Sequence, residues 1–246
     1  MKSQERHKLK ENAFATQVLH ARDAFESRRK DIVLAITVVI VLLGSVGAYA
    51  AWRQSRTSNA TSLLASALAV YQAPVVPLSA PTPGSPAPVQ QAGTYLTEKA
   101  KLEAALPKFV EAADRYPNTD AGIAARFHAA GILATLGRFP EAEQRYQEVV
   151  SRAGNSLYAR TARLGVADAQ VAQKKYDSAI NIYTEMSRDT NSQLPIDGLL
   201  MQLGRACASA GRKEEAVRAF TRITDEFPQS MYADDAKKEL EQVRKS

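Results

Sequence analysis

Four alanines, Ala105, Ala142, Ala179 and Ala216, stand 37 residues apart. Four aromatics, Phe109, Tyr146, Tyr183 and Phe220, keep the same interval one helical turn later, and Ala112, Val149, Met186 and Ile223 form a third column. Such a period marks a stack of like units, each too small to bury its apolar side alone. Spacings of three and four within each unit predict helices, and a pair of antiparallel helices fits the length. Small residues belong where paired helices cross, because a short axial distance leaves no room for branched side chains. The first helix of each unit offers Ala130, Ala167 and Gly204 there, and the second offers the alanine column. The aromatics then fill the space that opens between units. Gly137 and Gly211 suit a left-handed residue closing the first helix, whereas Lys174 holds that place in the middle unit and predicts a strained turn. Pro117 and Pro228 end second helices.

The stretch "LGRACASAGRKEEAVRAFTRITDEFP" (203–228) carries Leu203 and Gly204 in a first helix, Ala216 and Phe220 in a second, and Pro228 after it. In this it resembles the tetratricopeptide repeat family. The resemblance covers residues 94–246 and implies an all-α fold, a right-handed α-solenoid of helical hairpins. The period of 37 exceeds the family's usual length of about 34, and the large aromatic of the first helix is missing. The first copy has a second helix (97–116) but no first helix beside it; residues 53–72, with Leu64, Ala67, Leu68 and Tyr71 on one face, are expected to supply it. Pro107 is expected to kink that second helix or delay its start. At the other end Ala236 and Leu240 face inward on a polar cap.

Residues 32–52 run without a charge, enough for a helix of about 32 Å against roughly 30 Å of hydrocarbon, and predict one transmembrane anchor. A buried soluble helix and a signal peptide cleaved after "AYA" (48–50) are the competing readings. Small residues at Gly44/Ala48 and Gly47/Ala51 would permit close helix packing in lipid. Residues 1–30 hold eight Lys/Arg and four Asp/Glu, so a tail over 1–31 is expected to stay cytoplasmic. Phe14, Val18, Ala21 and Phe25 share a helical face within it. After the juxtamembrane helix (53–72), residues 73–93 hold six of the eleven prolines and predict an extended linker before the repeats.

From residue 98 onwards 22 basic residues balance 21 acidic ones, so the basic excess of the chain belongs to its tail and nucleic acid is not expected as a partner. No phosphate-binding glycine loop or metal-ligand spacing is evident, and neither an enzymatic activity nor a cofactor is expected. His128 and Cys207 read as structural residues on helices, the thiol facing inward.

The resemblance implies a binding groove lined by first helices. Carried onto this chain, the groove positions are Phe127, Leu164 and Met201, with Gly131, Asp168 and Arg205 one turn along. An apolar ladder with a polar strip suits an amphipathic helix or an apolar extended segment. The alternative is that these side chains pack against neighbouring helices. At the cap the ladder position is Lys238. The whole layout resembles the single-pass ancillary subunits of the Sec translocon, which implies a bacterial inner-membrane protein with a periplasmic repeat domain that binds channel subunits, chaperones or emerging clients. A scaffold of envelope assembly or cell division is the other reading.

Overall fold

The computed structural model describes residues 29–78, 90–189 and 194–245. Among them the secondary structure is helical, with one isolated β-bridge. In chain order the helices are α1 (Arg29–Tyr71), α2 (Glu98–Arg115), α3 (Asp120–Thr135), α4 (Phe139–Arg152), α5 (Leu157–Ala172), α6 (Tyr176–Arg188), α7 (Ile196–Ser209), α8 (Lys213–Glu226) and α9 (Ala233–Lys245). The chain divides into two compact units, Met1–Ser55 and Arg56–Ser246. The face formed by Phe14, Val18, Ala21 and Phe25 lies outside the described residues.

In the first unit α1 leaves its apolar side chains open: Leu34 is 64%, Ile40 63% and Leu43 68% exposed. From Val33 the helix is long and apolar enough to cross a membrane. Thr37 and Ser45 donate their hydroxyl protons to the carbonyls of Val33 (2.8 Å) and Val41 (2.7 Å), which pairs those donors within the helix. With 43 residues, α1 is roughly twice as long as a hydrocarbon layer is thick. Its remainder serves the second unit.

There Ala67 is fully buried, and Leu63, Leu64 and Leu68 close over Leu102, Ala105 and Phe109 of α2. Tyr71 meets Phe109 edge-on, ring centres 6.0 Å apart. The end of α1 is the first helix of the first hairpin. The pairs α3/α4, α5/α6 and α7/α8 follow, and α9 packs on α8 as the last layer. The ends of the proline-rich segment are tied together. Val75 and Tyr95 form a parallel bridge, in which Tyr95 N–H donates to Pro74 O (3.0 Å) and Val76 N–H to Tyr95 O (2.8 Å). The two ends of the segment are therefore held together; residues 79–89 between them lie outside the described residues. Helix α2 starts at its cap, where Ala100 N–H donates to Thr97 Oγ1 (3.1 Å), and runs through Pro107, so no late start occurs.

All twelve column side chains are buried, none more than 9% exposed. The small residues are there for the rings. A methyl at Gly204 would stand 2.4 Å from the Phe220 ring, and one at Gly165 would stand 2.6 Å from the Tyr146 ring of the preceding hairpin. Burying each ring contributes about 1.5–3 kcal/mol, and only small partners let it in.

The three hairpin turns share one hydrogen-bond pattern. Arg138, Lys175 and Arg212 N–H donate to the carbonyls of Leu133, Gln170 and Cys207, each at 2.8 Å, around a left-handed residue. That residue is Gly137 (φ 75°) or Gly211 (φ 76°), and in the middle hairpin Lys174 (φ 62°). A side chain there crowds the following carbonyl. Lys174→Gly is expected to raise the urea midpoint, a gain of roughly 0.5–1 kcal/mol.

Charges tie the layers as well. Arg126 of α3 is 3% exposed; its Nη2 donates to Ala113 O and to Asp114 of α2, both at 3.0 Å, and its Nε lies 2.8 Å from Glu148 of α4. Arg145 joins the same carboxylates. Burial would raise the Asp114 pKa, but the bonds from Arg126 and Arg145 outweigh it and hold the group below its ordinary value. In the next hairpin Arg163 pairs with Glu185 at the equivalent positions. Glu143 of α4, 9% exposed, accepts from Gln170 (2.9 Å), Gln173 (2.8 Å) and Lys175 (2.9 Å) at the end of α5, which locks hairpin two to hairpin three.

Candidate functional site

The expected groove residues stand on the first helices α3, α5 and α7 with unequal access. Phe127 is half-buried and edge-on to Tyr146 (5.7 Å) and Tyr158 (5.5 Å). It belongs to a run of rings. His128 stacks on Phe109 at 5.2 Å, with Tyr71 6.1 Å from His128, and Phe127 continues the run towards Tyr146 and Tyr158. The two ends, Tyr71 and Tyr158, are 37% and 40% exposed. Burial lowers the His128 pKa, so the imidazole behaves as a neutral ring in this strip.

Leu164 is half-buried and lines a cavity of about 130 Å³ with Pro195, Gly198, Leu199, Gln202 and Tyr232. Met201 departs from the expected ladder. It is fully buried in the core of α6 to α9, among Tyr183, Leu200, Phe220 and Ala236. The reason is the cap: Arg205 of α7 pairs with Glu239 of α9 (3.1 Å), and Ser230 Oγ donates to Asp197 (2.5 Å), which closes the last first-helix from the side. Met201 is a core residue and does not line an open face.

Asp168 and Arg205 remain exposed. Tyr183 Oη donates to Asp168 Oδ1 at 2.5 Å and orients that carboxylate. Surrounding protein raises the Asp168 pKa, with the tyrosine bond acting against it. Its own burial, then the charge and the bond of Asp168, push the Tyr183 phenol up. No described cation pairs with Asp168, whereas Arg205 is occupied by Glu239. Tyr158 and His128 extend the aromatic strip beyond what periodicity points to. The residues 37 before and after Tyr158 are Ala121 and Pro195, so no column marked it.

Cys207 is buried, and burial followed by the charge of Glu215 pushes its thiol up to about 11, with Arg212 and Arg218 opposing; it is protonated at neutral pH. Among the described residues no group of His, Cys, Asp and Glu is arranged to hold a metal ion. The surface supplied by the first helices is thus aromatic and shallow, with one oriented carboxylate.

The profile of a family described as tetratricopeptide repeat-like domain matches residues 25–193, and that of the tetratricopeptide repeat matches 199–230. Among solved structures the chain is similar to YrrB, a TPR protein with an unusual peptide-binding site, at 15% identity and a TM-score of 0.46 over 58% of this chain and 68% of that one. It is similar to MamA 41-end from Desulfovibrio magneticus RS-1 at 17% identity and a TM-score of 0.46, covering 60% and 86%. A Podosopora anserina protein of nearly identical TPR-like repeats shares 15% identity with a TM-score of 0.49, covering 60% and 87%. No curated protein matches the sequence.

Proposed function

We propose, from the premise that this chain belongs to the tetratricopeptide repeat-like family, that it is a membrane-anchored, non-enzymatic scaffold of the bacterial envelope. Its repeats make it a protein–protein interaction scaffold; the anchor, the compartment and the partners are the proposal. The observation that carries the anchor is the open apolar surface of α1 between Val33 and Trp52, which needs a nonpolar surrounding. The basic tail ending at "RRK" favours a cytoplasmic amino terminus and a periplasmic repeat unit. Phe127, Leu164, Asp168 and Arg205, joined by Tyr158, form the binding face, and its partner presents apolar side chains from a helix or an extended segment. The layout supports a place beside the export channel, linking it to periplasmic chaperones or clients. Envelope assembly or cell division is the second reading, favoured by the same face and anchor without the channel.

Crosslinking in intact membranes followed by partner identification tests this. Channel subunits among the products support the first reading, and outer-membrane or cell-wall factors alone support the second. A mature chain that begins after residue 50 would remove the anchor and with it the topology. Leu164→Glu adds a charge at a half-buried rim position and is expected to lower partner recovery about tenfold or more while the helical circular dichroism stays unchanged.

A further inference from the structure

The last hairpin carries a second groove, unlike its counterparts. Between α6, α7 and α8 lies a cavity of about 220 Å³ with Leu200, Leu203 and Ala219 as its apolar lining and Arg188, Arg218 and Arg222 around it. The repeat itself does not require these arginines. One period earlier the same positions hold Ser151, Asn181 and Glu185. The preceding hairpins place an arginine on the first helix and a glutamate on the second, Arg126 with Glu148 and Arg163 with Glu185. In the last hairpin that pair is replaced by Leu200 and Arg222, so the ion pair between the helices is gone and a guanidinium stands over an apolar floor.

The charges around the cavity do not cancel. Arg222 is neutralised by Glu226, whose two carboxylate oxygens accept from Nε (2.8 Å) and Nη2 (3.0 Å). Arg188 and Arg218 are exposed and form no ion pair with a described carboxylate. Glu215 also lines the cavity, and its partner Arg212 (3.6 Å) is shared with Asp177, so that group carries one net negative charge and leaves about one of the two arginine charges uncompensated. That balance fits a single carboxylate better than a phosphate dianion, and the half-buried Leu203 fits an apolar side chain beside it.

We propose that this groove is a second protein-docking site, separate from the first-helix face, which takes a glutamate or aspartate flanked by an apolar residue in an extended segment of a partner. Arg188 and Arg218 supply the charge, and the half-buried Leu203, above the buried Leu200, the apolar contact. The test uses the full chain in nonionic detergent and a fluorescent peptide of alternating leucine and glutamate, with a leucine–glutamine peptide beside it, read by anisotropy. The glutamate peptide is expected to bind, to bind the Arg188→Ala/Arg218→Ala double variant about tenfold or more weakly, and to bind Leu164→Glu as it binds the parent. The two arginines are exposed and pair with no described carboxylate, so the double variant is expected to keep its fold, which circular dichroism checks. Equal binding of the glutamine peptide, or an unchanged affinity in the double variant, overturns the proposal. Loss of the peptide in Leu164→Glu would place it on the first-helix face and overturn it as well. Vesicles of phosphatidylglycerol that lose the double variant, while the peptide does not, would assign the arginines to a lipid headgroup instead.

Discussion

Met201→Glu is expected to melt the last hairpin and its cap rather than to silence a binding face. The side chain is fully buried in the cluster that joins α6 to α9. Losing its burial costs about 1.5–3 kcal/mol, and an ionised carboxylate in that apolar setting costs several more unless it takes a proton. Against a total stability of about 5–15 kcal/mol for a domain, the end of the stack does not survive that change. Thermal melts followed by circular dichroism should show lost helical signal and a lower or broader transition. Leu164→Glu, one period earlier at a half-buried position, should melt like the parent. Intact helicity in Met201→Glu with poorer partner capture would return that residue to the groove.

The second large effect is expected at Arg126. Its guanidinium is the most enclosed charge among the described residues, and it holds Ala113 O, Asp114 and Glu148 together across three helices. Arg126→Ala leaves a carbonyl without its donor and sets two carboxylates around Arg145 alone. Breaking such a buried cluster costs about 3–5 kcal/mol. The equivalent Arg163, 38% exposed and paired with Glu185, provides the contrast: its removal should cost less than about 1 kcal/mol. Urea unfolding of the two variants measures the difference. Equal small losses would show that the cluster at Arg126 adds little.

The stacked hairpins were legible because each of their demands recurs. Alanine at the crossing, an aromatic one turn later and glycine at the turn appear in several copies, and packing needs the same things each time. Lys174 was legible as an exception for the same reason, and its φ of 62° follows from the shared turn pattern. The first helix of the first hairpin was expected from the demand of α2 for a partner, although no repeat column reaches it.

Features that occur once were harder to see. Glu143 sits in a column with Leu106, Ile180 and Val217, where a charge is out of place. Its reason, the side chains of Gln170, Gln173 and Lys175, lies in the following hairpin and carries no spacing signal. Periodicity fixes the face of α7 on which Met201 stands but not what lies upon it, so groove and core were both open for this residue. The cap closes there, and the pairing of Arg205 with Glu239 depends on where α9 falls. The ends of the proline-rich segment carry no spacing signal either. Proline content predicts an extended backbone, but the bridge between Val75 and Tyr95 returns the chain to its starting point.

The central claim is that one side of the stacked hairpins, formed by their first helices, grips a protein partner. Photocrosslinking in intact cells tests it most directly, with a photoreactive residue placed in turn at Tyr158 and Arg205 of that side and at the exposed Lys108 and Gln144 of second helices. The account predicts discrete adducts to the same partner from Tyr158 and Arg205 and none from Lys108 and Gln144. Adducts of equal strength from both pairs, or from the second pair alone, would contradict it.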